Sequence, residues 1–133
     1  MKLLDTLKLL SYFLLVISFS QTLAQPALDP ITEYYELLKK SKQNGGPETA
    51  FLSVGSDMLY GFESFETGQF DYASWRFRDV LKKEPENAYA NFLYGASIAK
   101  LGQVDEARSF LQKAATLMPS LNDLAQAQIA KKA

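Results

Sequence analysis

The sequence predicts an all-α fold that is built mainly from two similar helix-turn-helix hairpins. The first observation is an internal repeat, because residues 54–121 read as one unit of about 34 residues written twice. The second is the spacing of apolar side chains, which recur three and four positions apart in both copies, as on one face of an α-helix. The residues that are identical in the two copies are Leu59 and Leu93, Tyr60 and Tyr94, Gly61 and Gly95, Gly68 and Gly102, Gln69 and Gln103, Asp71 and Asp105, Ala73 and Ala107, and Pro85 and Pro119.

Turn residues in the first copy predict where its two helices end. Apolar residues from 47 to 67 indicate a first helix, which ends at Gly68 because the left-handed turn after a helix is easiest without a Cβ atom. Asp71 is placed to cap a second helix that runs to about Lys83. Pro85 ends that helix, since proline has no amide hydrogen and disfavours the α region in the residue before it.

The second copy follows the same plan, with helices at about 88–101 and 105–117 and a stop at Pro119. Gly61 and Gly95 fall inside the first helix of each copy, where a glycine costs about 0.8 to 1.0 kcal/mol relative to alanine. Their recurrence predicts that the second helix of each hairpin approaches closely at these positions.

At these residues the chain resembles the tetratricopeptide repeat, a helix pair with small residues at fixed places and a closing proline. The positions that carry the resemblance are Gly61 and Gly95, Gly68 and Gly102, Phe70 and Val104, Ala73 and Ala107, Phe77 and Leu111, Val80 and Ala114, and Pro85 and Pro119. The chain departs from the family pattern at Asp57 and Asn91, which replace a large apolar residue, and at Ser64 and Ile98, which replace a tyrosine. The resemblance implies a short right-handed superhelical array of two repeats with N-terminal and C-terminal capping helices.

The segments on either side of the repeats carry their own helix signals. Asp29 and Pro30 open a helix, with the carboxylate at the cap and the proline in the first turn. We expect this helix to pack on the first hairpin as an N-terminal cap. The alternatives are that it is the second half of a degenerate repeat or that it lies in the groove of the array. Ser120 and Asp123 have the spacing of a capping box and predict a last, more polar helix that closes the array. The resulting divisions are a signal peptide at 1–24, a linker at 25–29, the N-terminal helix at 30–46, repeat 1 at 47–87, repeat 2 at 88–121 and the C-terminal capping helix at 122–133.

The first residues have the pattern of a secretory signal peptide. Lys2 and Lys8 give a weakly basic start, residues 9–19 an apolar core, and residues 22–24 a small-residue cleavage site. An apolar stretch of about 11 to 13 residues is shorter than the roughly 20 that a membrane-spanning helix needs. We expect cleavage near Ala24 and an exported protein, periplasmic or secreted, that meets a membrane only during export. An uncleaved anchor and a buried or cytosolic helix are the alternatives.

Composition argues against several classes of function. The chain has 133 residues, of which 47% are hydrophobic and 22% charged, as is typical of a globular domain. It contains no histidine and no cysteine, which excludes the commonest general base, thiol chemistry, disulfides and the usual zinc sites. A net charge of -1 argues against nucleic acid as a partner. We therefore expect no catalytic residue, no cofactor and no metal, and we expect that the protein is not an enzyme.

A candidate binding site follows from the resemblance. In the family, the first helices of successive repeats line a concave groove along which partners usually lie. Carried over to this chain, the protein-binding groove consists of Met58, Phe62, Phe65, Glu66, Tyr89, Phe92, Ala96, Ala99 and Lys100. Because most of these side chains are apolar, we expect a protein or peptide partner with an apolar or amphipathic segment. The alternative is that the aromatic residues belong to the core.

Two further groups of residues are candidate sites. Glu63 and Glu66 lie three apart on a helix, but exposed glutamates usually form a solvated face. Trp75, Arg76 and Arg78 form an aromatic and basic cluster that is either ordinary packing or a convex contact site. The sequence thus favours a non-catalytic interaction module or scaffold. The alternative is a self-associating structural unit of an envelope complex, a possible homo-oligomer, because a short array with exposed ends can stack on itself.

Overall fold

The computed structural model describes residues 6, 8, 29–43 and 54–130, and this part of the chain is helical apart from short turns, without a strand. The prediction of an all-α fold is therefore confirmed for these residues. Their helices are α1 (Pro30–Gln43), α2 (Ser56–Glu66), α3 (Phe70–Lys83), α4 (Ala88–Lys100), α5 (Val104–Leu117) and α6 (Asn122–Ala130), with a 3-10 turn at Pro119–Leu121. Among the described helices, none has the length and apolar character needed to cross a membrane.

Some of the predictions fall on residues outside the described part. These are the signal peptide, of which only Thr6 and Lys8 are described, residues 25–28 of the linker, residues 44–46 of the N-terminal helix, residues 47–53 of repeat 1 and residues 131–133 of the C-terminal capping helix. The cleavage site near Ala24 is among them. These features stay predictions from the sequence.

The start of α1 follows from the chemistry of Asp29. One of its carboxylate oxygens accepts hydrogen bonds from the N–H groups of Ile31 (3.0 Å) and Thr32 (2.9 Å). The other accepts a hydrogen bond from the Thr32 hydroxyl at 2.7 Å. Burial opposes ionisation of Asp29, but the hydrogen bonds from Thr32 and Ile31 outweigh it, so the pKa of the carboxyl group is lowered. The cap satisfies N–H groups that have no partner inside the helix.

The two hairpins, α2–α3 and α4–α5, share their backbone geometry one repeat apart. Helices α3 and α5 are both 14 residues long and occupy equivalent positions in the two copies. Each turn has a glycine in the left-handed region, Gly68 with a φ of 79° and Gly102 with a φ of 91°. The N–H of the next residue, Gln69 or Gln103, donates to a carbonyl of the preceding helix at 2.8 or 2.9 Å. The glycines predicted to end these helices thus have the conformation that favours glycine.

One glycine in each hairpin allows the two helices to pack in close contact. A Cβ atom on Gly61 would lie 2.6 Å from the ring of Phe77. A Cβ atom on Gly95 would lie 2.9 Å from Leu111 and 3.1 Å from the carbonyl oxygen of Ala107. These distances are shorter than ordinary van der Waals contacts, so the predicted close approach is present at both positions.

The helix starts differ from the prediction at Asp71. Helix α3 begins at Phe70, so Asp71 lies inside the first turn, and its carboxylate accepts from the N–H of Tyr72 at 2.8 Å. The residue before α3 makes no side-chain capping bond, because the glycine turn leads directly into the helix. A side-chain cap exists instead at the start of α4, where the amide oxygen of Asn87 accepts from the N–H of Ala90 at 3.0 Å.

The core lies within and between the hairpins, and α6 covers its C-terminal end. The buried hydrophobic side chains are Leu38, Val54, Met58, Leu59, Phe62, Ala73, Phe77, Val80, Ala90, Phe92, Leu93, Ala96, Ile98, Ala107, Leu111, Ala114, Leu121 and Ala125. Leu121 and Ala125 extend this core beneath α6. In the described residues, every buried side-chain nitrogen or oxygen atom has a hydrogen-bond partner.

Helix α1 lies across the first helices of both hairpins. The ring of Tyr34 stacks on Tyr89 of α4, with ring centroids 4.0 Å apart and an interplanar angle of 8°. The ring of Tyr35 stacks on Phe62 of α2 with a centroid distance of 4.9 Å. Of the three arrangements that the sequence leaves open for this helix, these contacts favour the one in which it lies against the predicted groove.

Candidate functional site

Next to α1, the first helices of the two hairpins border an open cleft of about 200 Å³. Helix α1 contributes its N-terminal turn, α2 its C-terminal part, α4 its middle and α6 one face. The lining residues are Asp29, Ile31, Thr32, Phe62, Phe65, Glu66, Phe92, Leu93, Ala96, Leu124 and Gln128. The cleft is therefore the part of the first-helix surface that α1 leaves uncovered.

Phenylalanine rings give the cleft its apolar character. Phe62 and Phe92 are buried, with 2% and 5% of their surface exposed. Phe62 also contacts Phe77 edge to face behind the cleft, with centroids 6.2 Å apart. Phe65 is half-buried and packs edge to face against Phe70 at 5.2 Å. Because these rings are held by the core, the cleft offers a preformed apolar surface that a ligand need not order.

Polar side chains complete the lining of the cleft. The Asp29 carboxylate and the Thr32 hydroxyl already bond to each other at the start of α1. Glu66 and Gln128 also line the cleft. Within the described part of the chain, the Glu66 carboxylate is in none of the ion pairs. The cleft can thus bury an apolar group beside a carboxylate that remains available to a donor or a cation.

The predicted groove residues separate into two sets. Those that line the cleft are Phe62, Phe65, Glu66, Phe92 and Ala96. Met58 does not line it, because its side chain is fully buried in the core. Tyr89 is covered by Tyr34, and Ala99 and Lys100 lie on α4 outside the lining. The aromatic residues of this face therefore belong partly to the core and partly to the cleft.

The sequence did not identify several lining residues, which are Asp29, Ile31, Thr32, Leu93, Leu124 and Gln128. All except Leu93 come from the helices that flank the repeats. The available signal was the apolar stripe of each flanking helix, which includes Ile31 in α1 and Leu124 in α6. A stripe shows that a helix packs against the array, but it does not show which face of the array it covers.

The contact between α1 and α4 contains a titratable group, the phenol of Tyr34. Burial, followed by the negative charge of Glu84 and the neighbouring Tyr89, raises the pKa of Tyr34 to about 12. Desolvation destabilises the phenolate more than the phenol, so the stacked ring stays protonated to a higher pH than a solvent-exposed tyrosine does. Ionisation of Tyr34 is therefore coupled to the docking of α1.

The two other groups that the sequence offers as candidate sites, the glutamate pair and the cluster around Trp75, do not form one site. Glu63 and Glu66 are both exposed, as a solvated face requires. Arg76 lies over the rings of Tyr60 and Tyr72. Arg78 lies near Tyr94 of α4 instead. Burial and the negative charge of Glu106 raise the pKa of the Tyr94 phenol, and the positive charge of Arg78 partly opposes this rise. No group of three or more Asp or Glu side chains in the described segments could hold a metal ion.

Comparisons of the chain with models of protein families, with curated proteins and with solved structures find no match. The functional assignment therefore rests on the geometry and chemistry of the described residues. The cleft is the feature that the two repeats and both flanking helices build together.

Proposed function

We propose that the protein is a non-catalytic, exported interaction module in which two tetratricopeptide-type repeats hold a segment of a partner polypeptide in the cleft. The observation that carries the proposal is the preformed apolar cleft, whose lining comes from both repeats. The partner segment is apolar or amphipathic, and it binds by burying a side chain against the rings of Phe65 and Phe92 and against Leu124.

The family assignment and the right-handed superhelix are part of this proposal. They are supported by the glycine turns, the close helix contacts and the equivalent bounds of α3 and α5. The departures from the family pattern are compatible with it, because each polar replacement has a partner. The Asn91 amide donates to the carbonyl oxygens of Pro85 (3.0 Å) and Asn87 (2.8 Å), and the Asp57 carboxylate accepts from Arg76 at 3.0 Å.

Helix α1 gives an example, within the same molecule, of how this surface binds a helix. Its residues Tyr34 and Tyr35 stack on one ring from each repeat, and Leu38 is buried. A surface that holds an amphipathic helix by ring stacking and burial can hold a second segment of similar chemistry in the cleft beside it. This supports a polypeptide as the occupant.

The size of the cleft supports the same conclusion. Its volume of about 200 Å³ is below the range of about 300 to 1,000 Å³ that is usual for small-molecule and cofactor sites. It suits one large apolar side chain that is part of a longer chain. Glu66 at the edge favours a lysine, arginine or amide group next to that side chain on the partner.

Export is supported by the basic start, apolar core and small residues of the first 24 positions. N-terminal sequencing of the protein recovered from the cells that make it tests this point. We expect the sequence to begin at Gln25. A chain that retains Met1 and stays with the membrane would instead support an uncleaved anchor.

Site-specific photo-cross-linking tests the proposed function. A photoreactive amino acid replaces Gln128 in the cleft or, as the control, Gln112 on the exposed face of α5. In cells that express the protein, we expect a partner polypeptide to be cross-linked through position 128 and not through position 112. Phe65→Ala in the same background should reduce that product, because the partner's side chain loses an apolar wall.

The identity of the cross-linked product decides between the functions. A heterologous polypeptide that depends on Phe65 supports the interaction module. A product with twice the mass of the protein, composed of this chain alone, supports the self-associating unit. Equal products from positions 128 and 112, or none from position 128, contradict binding in the cleft.

A further inference from the structure

A second surface, separate from the cleft, combines three exposed aromatic rings with an arginine. Tyr60 on α2 and Tyr72 and Trp75 on α3 are 41%, 37% and 52% exposed. The rings of Tyr72 and Trp75 meet edge to face, with centroids 6.2 Å apart. The guanidinium carbon of Arg76 lies 5.5 Å from the ring centroid of Tyr60 and 5.1 Å from that of Tyr72. These four residues are referred to below as the aromatic surface.

The centre of the aromatic surface is held in place by hydrogen bonds. Arg76 donates through Nη1 to the carboxylate of Asp57 at 3.0 Å and through Nε to the hydroxyl of Tyr72 at 3.2 Å. The arginine thereby connects α2 to α3 and fixes the orientation of the Tyr72 ring. Side chains that are already ordered lose little conformational entropy when a partner binds.

Positive charge surrounds the aromatic surface, although the protein as a whole is acidic. Helix α3 has four cations and two carboxylates, which gives it a net charge of +2. Three of the cations pair with carboxylates, Arg76 and Lys83 with Asp57 of α2 and Lys82 with Asp79, and Arg78 acts on Tyr94 instead. When Asp57 and Lys42 are counted as well, the net charge of this surface remains +2. The whole chain has a net charge of -1. Lys42 of α1 adds an ammonium group 5.2 Å from the ring centroid of Tyr60. Charge complementarity therefore favours a negatively charged partner at this surface.

The second hairpin lacks such a surface at the equivalent positions. Tyr60 corresponds to Tyr94, but Tyr72 and Trp75 correspond to Glu106 and Ser109. Arg76 corresponds to Phe110, whose ring packs edge to face against Tyr94 at 4.7 Å and leaves neither of the two exposed. The fold alone therefore does not require exposed aromatic rings here.

The aromatic surface and the cleft use different faces of α2. Asp57 and Tyr60 are three residues apart and share one face, whereas Phe62 and Phe65 share the face toward the cleft. An occupant of one site does not cover the other. The protein can therefore hold a separate segment at each.

We propose that the aromatic surface is a second docking site, which binds an acidic polypeptide segment that carries an apolar side chain. The apolar side chain packs on Trp75 and Tyr72, and the carboxylates face Lys42, Arg76 and Lys83. Tryptophan, tyrosine and arginine are the residues that most often carry binding energy at protein interfaces. With the cleft occupied as well, the module bridges two polypeptides.

Selection from a random peptide library displayed on phage tests the proposal with the purified protein as bait. The same selection uses three variants: Trp75→Ser, which introduces the residue of the second hairpin, Lys42→Glu, and Lys40→Glu as the matched control. Lys40 and Lys42 are both exposed and lie two residues apart on α1, but Lys42 is the one that contacts Tyr60. We expect enriched peptides with several acidic residues around a leucine or an aromatic residue.

The affinities of the enriched peptides complete the test. They can be measured by the fluorescence emission of Trp75, because Trp75 is the only tryptophan in the sequence. Lys42→Glu should weaken binding by about tenfold, and Lys40→Glu should leave it unchanged. Trp75→Ser should weaken peptide binding by about 30-fold. Because this variant has no tryptophan, its affinity is measured with a fluorescent label on the peptide. Circular dichroism confirms that the variants remain helical.

Four outcomes would overturn the proposal. They are a library without enrichment, enriched peptides without acidic residues, equal enrichment on the Trp75→Ser variant, and equal loss with Lys42→Glu and Lys40→Glu. Two further measurements distinguish the acidic peptide from other occupants, a lipid surface and a second copy of the chain. A shift of Trp75 emission with phosphatidylglycerol vesicles and not with peptides would assign the surface to lipid. A dimer in light scattering that Trp75→Ser dissociates would assign it to a second copy of the chain.

Discussion

The two hairpins have nearly the same backbone and different surfaces. Both have a left-handed glycine in the turn, a glycine in the first helix beneath a large side chain, and a second helix of 14 residues. The first hairpin exposes Tyr60, Tyr72 and Trp75, whereas the second places Glu106 and Ser109 at two of the equivalent positions. The glycines and alanines that repeat are those that the turns and the close packing of two helices require. The residues that differ are therefore the better candidates for specific function.

The largest expected effect concerns the side chain that packs over the glycine in each hairpin. Phe77 and Leu111 are 0% and 1% exposed and occupy equivalent positions. Phe77→Ala should lower the free energy of unfolding by about 3 to 5 kcal/mol and Leu111→Ala by about 2 to 5 kcal/mol, because each leaves a cavity in the core. Urea denaturation followed by circular dichroism measures both. If one substitution were nearly neutral, the two hairpins would not be equivalent in packing.

The glycines beneath these side chains sharpen the comparison. Gly95→Ala should destabilise the protein by about 1 to 3 kcal/mol through overpacking, less a gain in helix propensity of about 0.8 to 1.0 kcal/mol. Gly61→Ala should cost at least as much, because the added methyl group would lie 2.6 Å from the ring of Phe77, which is fully buried and cannot move without disturbing the core. Differential scanning calorimetry of both variants compares the two losses. A clearly smaller loss at Gly61 than at Gly95 would contradict this explanation.

Asp57 and Asn91 occupy equivalent positions in the two hairpins and have different surroundings. Asn91 is 1% exposed, and its amide donates to the carbonyl oxygens of Pro85 and Asn87. Asn91→Ala should cost about 1 to 3 kcal/mol, because it removes a buried side chain and the part-buried hydrogen bonds that it donates to Pro85 and Asn87. Asp57→Asn should have a smaller effect, because the Arg76 and Lys83 side chains that it binds are partly exposed. Thermal melting of the two variants tests this prediction, which expects the lower melting temperature for Asn91→Ala.

The smallest expected effect is on the stack that joins α1 to the second hairpin. The pKa of Tyr34 is raised from 10.0 to about 12 in the folded protein. The contribution of this group to stability is therefore fully present below pH 10 and is lost as the pH rises through about 12. Titration of tyrosine absorbance should show a phenol that ionises near pH 12, which Tyr34→Phe removes and Tyr35→Phe does not. A phenol that still ionises near pH 12 in Tyr34→Phe would contradict the stacked position.

The sequence predicted the parts of the fold that depend on local chemistry. The cap at Asp29, the turns at Gly68 and Gly102 and the close contacts of Gly61 and Gly95 all follow from the preferences of single residues. The start of α3 at Phe70 was missed, because the turn geometry, and not a capping side chain, determines where that helix begins. Local signals therefore locate helices well and their first residues less well.

The candidate site was predicted only in part, because its other half comes from long-range packing. Phe62, Phe65 and Phe92 could be assigned to the groove from their place in the repeats. Ile31, Leu124 and Gln128 could not, since nothing in a helical stripe specifies the face on which a flanking helix docks. The aromatic surface was visible as Trp75 and Arg76, but the parts played by Tyr60, Tyr72 and Lys42 depend on contacts between helices.

The central claim is that α1 occupies one part of the face formed by the first helices and leaves the cleft for a partner. Nuclear Overhauser contacts between ring protons in the isotopically labelled protein test it most directly. We predict contacts between Tyr34 and Tyr89 and between Tyr35 and Phe62, one set to each repeat. Contacts from Tyr34 to α3 or α5, or the absence of contacts between α1 and either repeat, would contradict the claim.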